Sequence, residues 1–176
     1  MISIAVVGSR GHAEWHVNNL NSNSLVDKVI VYNPAHTNHS STSISNILRC
    51  DGIIISCPTA SHTNYIQYLM QNSYKGYAYV EKPGFTSIEE AELLYSFAEK
   101  NPRICIGYHL PETDAFIRVR NIINEMNAEL ISLTASVSTG IAYKAFFGDS
   151  WRSKSPDAVS VTGISHILSI IGAFNF

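Results

Sequence analysis

Five short apolar runs, Ser3 to Val7, Val29 to Tyr32, Gly52 to Ser56, Tyr77 to Val80 and Ile104 to Ile106, alternate with segments of helical pattern. Runs of this kind, without a regular polar alternate, suit strands buried on both faces, and their alternation with helices argues for an α/β fold with a parallel sheet. The helices are expected over Ala13 to Leu20, Thr63 to Gln71, Ile88 to Lys100 and Asp114 to Asn124. Ser87 followed three residues later by Glu90 is a capping box that opens the third of them. Pro83 cannot continue a central ladder and should end the fourth strand. The stretch from Pro34 to Ser45 is polar and aperiodic, which reads as a surface loop. From Glu129 to Ser136 the pattern changes to period two. The expected division is therefore a domain over 1–125 and the start of a second over 126–176.

The polar balance narrows the partners. Formal net charge is -2, and charged residues make up 15% of the chain, against about 25% in ordinary soluble domains. Without a Lys/Arg cluster there is no electrostatic footprint for nucleic acid. The opening MISIAVVGSRG is apolar too briefly for a membrane anchor and has no basic leader, so it reads as a first strand of a cytoplasmic protein. Cys50, Cys57 and Cys105 are odd in number, lack CxxC spacing and lie in or beside apolar runs, which reads as buried thiols.

Chemistry first enters at the turn after the first strand. VVGSRGHA lies between a strand and a helix, where glycines let the backbone approach a pyrophosphate and helix N–H groups hold its charge. Gly8 fits the first position of G-x-G-x-x-G/A and Ala13 the last, while Arg10 occupies the middle one. Its side chain must swing aside or pair with the phosphates, with Gly11 supplying flexibility; a plain structural turn is the alternative. Asn33 ends the second strand 20 residues after Ala13, where such folds place an acid on the adenosine ribose. An Asn can still bond there and lacks the charge that repels a 2'-phosphate, or it is simply a turn residue before Pro34.

Cys57, Pro58, Thr59 and His62 follow the third strand, and Glu81 and Lys82 follow the fourth. Ends of parallel strands are where ligands bind in such sheets. Two charges directly after a buried strand need a partner or a use; Lys82 could protonate a substrate oxygen, or the two could form an ordinary ion pair. His12 and His16, four apart, could share a helix face, but HAEWH is not HExxH and offers no third ligand, so no metal is expected.

The order GSRGHAEWH (Gly8 to His16), DGIIISCPTASH (Asp51 to His62), VEKP (Val80 to Pro83) and ICIGYH (Ile104 to His109) resembles the Gfo/Idh/MocA oxidoreductases, the family of glucose-fructose oxidoreductase and inositol dehydrogenase. The Glu-Lys-Pro signature is the most specific part. Trp151, Arg152 and TGISHILSI are more faintly similar to the family's interdomain helix. The resemblance implies a doubly wound Rossmann sheet, with NAD or NADP bound by Gly8, Ser9, Arg10, Gly11, His12, Ala13, Asn33, Cys57, Pro58, Thr59, His62, Glu81, Lys82 and His109. It further implies that Lys82 and His166 handle the proton of a sugar or polyol hydroxyl during hydride transfer. Thr162 stands four residues before His166 where the family has Asp, and members continue well beyond this chain's last residue. The resemblance thus implies a partial second α+β domain, in either a fragment of a longer protein or a naturally shortened form. ALISLTASV and ISHILSIIGAF would need another surface, which points to a homo-oligomer or a partner subunit. The alternative to an enzyme is a non-catalytic nucleotide-binding relative acting as a sensor or as a subunit of a complex.

Overall fold

The computed structural model describes residues 1–33, 43–129, 131–134 and 156–174. They form two compact units, Met1–Gly107 and Tyr108–Phe176. In the first, β1 (Ile2–Val7), β2 (Val26–Tyr32), β3 (Gly52–Ile55), β4 (Tyr77–Val80) and β5 (Ile104–Ile106) make one sheet. All pairings are parallel and the order is β2-β1-β3-β4-β5. The chain steps outward from β1 to β2, then crosses back to β3 and proceeds the other way. Right-handed crossovers therefore put α1 (His12–Asn21) on one face and α2 (His62–Gln71) and α3 (Ile88–Lys100) on the other.

Side-chain alternation decides what each face buries. Ala5, Val7, Ile53, Ile55, Ala78 and Val80 pack with Ile66, Leu69, Leu94 and Phe97 of α2 and α3, and none of the six strand residues is more than 1% exposed. The opposite face of β3 and β4 is thinner, and Ile54 and Tyr79 there stay half-buried. Alternation in β5 sends Cys105 the same way at the sheet edge, so it is exposed; the expectation of three buried thiols holds for Cys50 alone, with Cys57 intermediate. Ser87 caps α3 by accepting the Glu90 N–H at 3.3 Å. The Glu90 carboxylate turns to the Thr86 N–H and hydroxyl instead, each at 2.6 Å.

The second unit contains α4 (Asp114–Glu125) and α5 (Pro156–Ala173). The helix expected at the end of the first domain thus belongs to the second unit. Glu129 and residues 131–134 carry no regular secondary structure, where the period-two pattern suggested a strand. Leu130, Ser136, His36, His39, Trp151 and Arg152 lie outside the described residues. Among those described, no helix is long and apolar enough to cross a membrane.

Candidate functional site

Strand register assembles the site. Tyr32, Val7, Ile55, Val80 and Ile106 are partners across the five strands, so the next residues, Asn33, Gly8, Ser56, Glu81 and Gly107, form a row along the carboxyl edge. The ladder runs into that row: the N–H groups of Gly8, Ser56, Glu81 and Gly107 donate to Tyr32, Val7, Ile55 and Val80 at 2.8–2.9 Å. The order in which strands are added to the sheet reverses between β1 and β3, which makes this edge the switch point where open α/β sheets bind ligands.

Gly8 leaves β1 with φ 124, and a Cβ there would lie 2.5 Å from the Ser56 carbonyl oxygen and 3.1 Å from the Ala13 Cβ. Ala13 is fully buried, so the first and last positions of the turn are set by the close approach of helix, turn and β3. Gly11 is the N-cap of α1 with φ 60 and ψ -121, and no side chain caps the helix. A Cβ on Gly11 would meet nothing within 4 Å. The helix N-terminus therefore opens to an exterior space that suits an anion. Arg10 and His12 are exposed beside it. Asn33 donates its amide to the Ser9 hydroxyl at 2.5 Å, tying the end of β2 to the turn.

After β3, Pro58 is exposed, while Cys57 and Thr59 are half-buried. Burial pushes the Cys57 thiol up to about 11, so it is neutral. His62 is only 1% exposed and bonds the Cys57 carbonyl through Nε2 at 2.9 Å. Burial holds its imidazole below the usual histidine range, opposed by backbone groups of Cys57, Gly84 and Pro83. It therefore braces the loops after β3 and β4 from within instead of presenting a surface contact.

Glu81 is 8% exposed. Its Oε1 is 2.8 Å from His16 Nε2, its Oε2 accepts the Lys82 N–H at 3.1 Å, and His12 Nδ1 lies 3.7 Å from Oε2. The HAEWH spacing, which does not suit a metal pair, nonetheless puts His12 and His16 on one helix face. Among the described residues no group of three or more His, Cys, Asp or Glu is placed to hold a metal. The Lys82–Pro83 bond is cis.

Burial pulls the Glu81 carboxyl upward, but the His16 hydrogen bond, the charges of His12 and His16 and the Lys82 N–H outweigh it, leaving the group below the ordinary glutamate range. A carboxyl lowered by folding stabilises above its unfolded pKa and loses that contribution as pH falls through its folded value. Glu81→Gln should therefore destabilise the protein by about 1–3 kcal/mol at neutral pH, with the difference narrowing in acid. Urea unfolding of both proteins along a pH series checks this; a gap independent of pH would contradict it.

In the second unit, His109 precedes the 3-10 turn Leu110–Glu112, and its ring stands edge-on to His166 of α5 at 5.4 Å between centroids. Tyr108 adds a second edge contact to His166 at 6.4 Å. Two of the histidines singled out in sequence, His109 and His166, thus come together, while Lys82 belongs to the first unit.

A family model described as "Oxidoreductase family, NAD-binding Rossmann fold" matches residues 2–109. Among solved structures the chain is similar to myo-inositol 2-dehydrogenase from Lactobacillus plantarum, with 16% identity and a TM-score of 0.69 over 98% of this chain and 56% of that one. It is also similar to scyllo-inositol dehydrogenase from Lactobacillus casei, solved with bound cofactor NAD(H) and scyllo-inositol, with 15% identity and a TM-score of 0.69 over 99% and 56%. A third is UDP-N-acetylglucosamine 3-dehydrogenase GnnA from Acidithiobacillus ferrooxidans, with 21% identity and a TM-score of 0.56 over 69% and 41%. At such identities the likeness is one of fold, and this chain spans between 41% and 56% of the length of these proteins. No curated protein matches the sequence. With the model covering more than half of its residues, and with a glycine turn, an open helix N-terminus and Glu-Lys-Pro on one sheet edge, this chain belongs to the Gfo/Idh/MocA oxidoreductase family and has its NAD-binding Rossmann fold.

Proposed function

We propose that the protein is an NAD(P)-dependent oxidoreductase acting on a hydroxyl of a sugar, polyol or similar small molecule. The observation that supports this most is the row Asn33, Gly8, Ser56 and Glu81, which sets an open helix N-terminus and Lys82 along one edge of one sheet. The residues fit a dinucleotide: the turn at Gly8 admits no side chain, Gly11 faces open space, and Asn33 is anchored beside both through Ser9. In this reading the backbone from Gly8 to Ala13 holds the pyrophosphate, Asn33 the adenosine ribose, and Cys57, Pro58 and Thr59 line the adjoining strand end. The nicotinamide, when bound, supplies the hydride donor or acceptor. Lys82 Nζ takes the hydroxyl proton as the substrate carbon loses hydride and returns it in the reverse direction.

Calorimetric titration with NADH and NADPH tests this. Asn33 brings no charge to repel a 2'-phosphate, and Arg10 can attract one, so both should bind, NADPH equally or modestly tighter. Arg10→Gly should weaken NADPH more than NADH by about 1–2 kcal/mol, the loss of one charge-assisted bond. No heat from either cofactor at millimolar concentration, with the protein folded, would overturn the reading. Thr162, where the family has Asp, favours a second one, a relative that binds nucleotide without catalysis. Cofactor binding with no turnover of any sugar or polyol would select it.

A further inference from the structure

We propose that His16 and Glu81 are positioning residues, a buried pair that fixes the Lys82 backbone relative to the helix carrying the glycine turn; this rests on the role given to Lys82 above. The two side chains are 65 residues apart in sequence and only 13% and 11% exposed. A carboxylate that far out of water is unfavourable unless each oxygen is satisfied. Here Oε1 faces His16 and Oε2 faces the Lys82 N–H, with His12 next to it. Each oxygen has a partner within the protein, so Glu81 acts through its neighbours. The imidazole is itself held, edge-on to Tyr79 at 5.6 Å and to Trp15 at 5.3 Å. Tyr79 lies in β4, two residues before Glu81, and His16 lies in α1, four residues after His12. Movement of the Lys82 turn away from α1 would therefore have to break the 2.8 Å contact and strip a buried charge of its partner.

The test compares His16→Phe, which keeps a ring against Tyr79 but removes the bond, with His16→Gln, whose amide nitrogen can reach the place of Nε2. Amide hydrogen exchange at Lys82 reads the positioning directly, without cofactor or substrate. In His16→Phe the Lys82 amide should exchange about tenfold faster or more, while Ala78 and Val80 within β4 keep their protection. In His16→Gln, Lys82 should stay near the wild-type rate. With a sugar or polyol that the wild type turns over, His16→Phe should lower kcat with little change in substrate KM. Should His16→Phe not fold, His16→Asn, too short to reach Glu81, carries the same comparison. Unchanged Lys82 exchange in a folded variant lacking the bond, or equal damage from His16→Gln, would overturn the proposal. Failure of NADH to bind the wild type would instead strike the functional reading and leave the exchange result standing.

Discussion

Gly8→Ala should lower stability by roughly 3 kcal/mol or more, because two independent penalties fall on one position. The residue sits at φ 124, and its new Cβ would lie 2.5 Å from the carbonyl oxygen of Ser56. That oxygen belongs to backbone continuing from β3, and Ala13 closes the other side, so neither neighbour can yield cheaply. For a chain of this size the loss corresponds to a fall in Tm of roughly 6–12 °C. NADH affinity should drop with it, since relieving the clash moves the turn. Gly11→Ala is the matched control: its φ of 60 is also unfavourable, but nothing lies within 4 Å, so about 1 kcal/mol is expected. Thermal unfolding of the two variants checks the ranking, and a Gly8→Ala protein as stable as wild type would refute the account of the turn.

Lys82→Met should lower turnover about 10²- to 10⁴-fold, the usual contribution of a positioned proton donor or acceptor, while leaving NADH affinity within a few-fold of wild type. The side chain is half-buried after β4, and its backbone is held through Glu81. Lys82→Arg should not rescue, because a guanidinium keeps its proton at any working pH. The comparison requires a sugar or polyol that the wild type turns over, with steady-state kinetics beside a cofactor titration on each variant. Turnover within about threefold of wild type would remove Lys82 from proton transfer.

How far the sequence is legible varies along the chain for identifiable reasons. Tyr77–Val80, Ile104–Ile106 and Ile88–Lys100 have the bounds that pattern and capping suggest. In each, the local signal and the tertiary role agree. β2 begins at Val26, three residues earlier than its apolar run, because it is an edge strand whose Asp27 and Lys28 remain exposed. The 3-10 helix Ile44–Arg49 buries Ile47 in the core and carries no periodic signal long enough to announce it. Cys105 departs from its expected burial because composition shows that a strand is apolar, not which of its faces is covered.

By itself, the sequence determined the α/β class, the order of strands and helices, the glycine turn and the candidacy of Lys82, since these depend on neighbours a few residues apart. Only the tertiary structure decided that Asn33, Gly8, Ser56, Glu81 and Gly107 share one row, that His62 is a buried brace, and that Glu81 is bonded to His16. Those facts depend on strand order, register and the facing of helices, which arise when distant segments bury apolar surface together. A hydrogen-bonded pair separated by 65 residues leaves no periodicity along the chain; it exists because burial of Glu81 demands a partner and the fold brings His16 within reach.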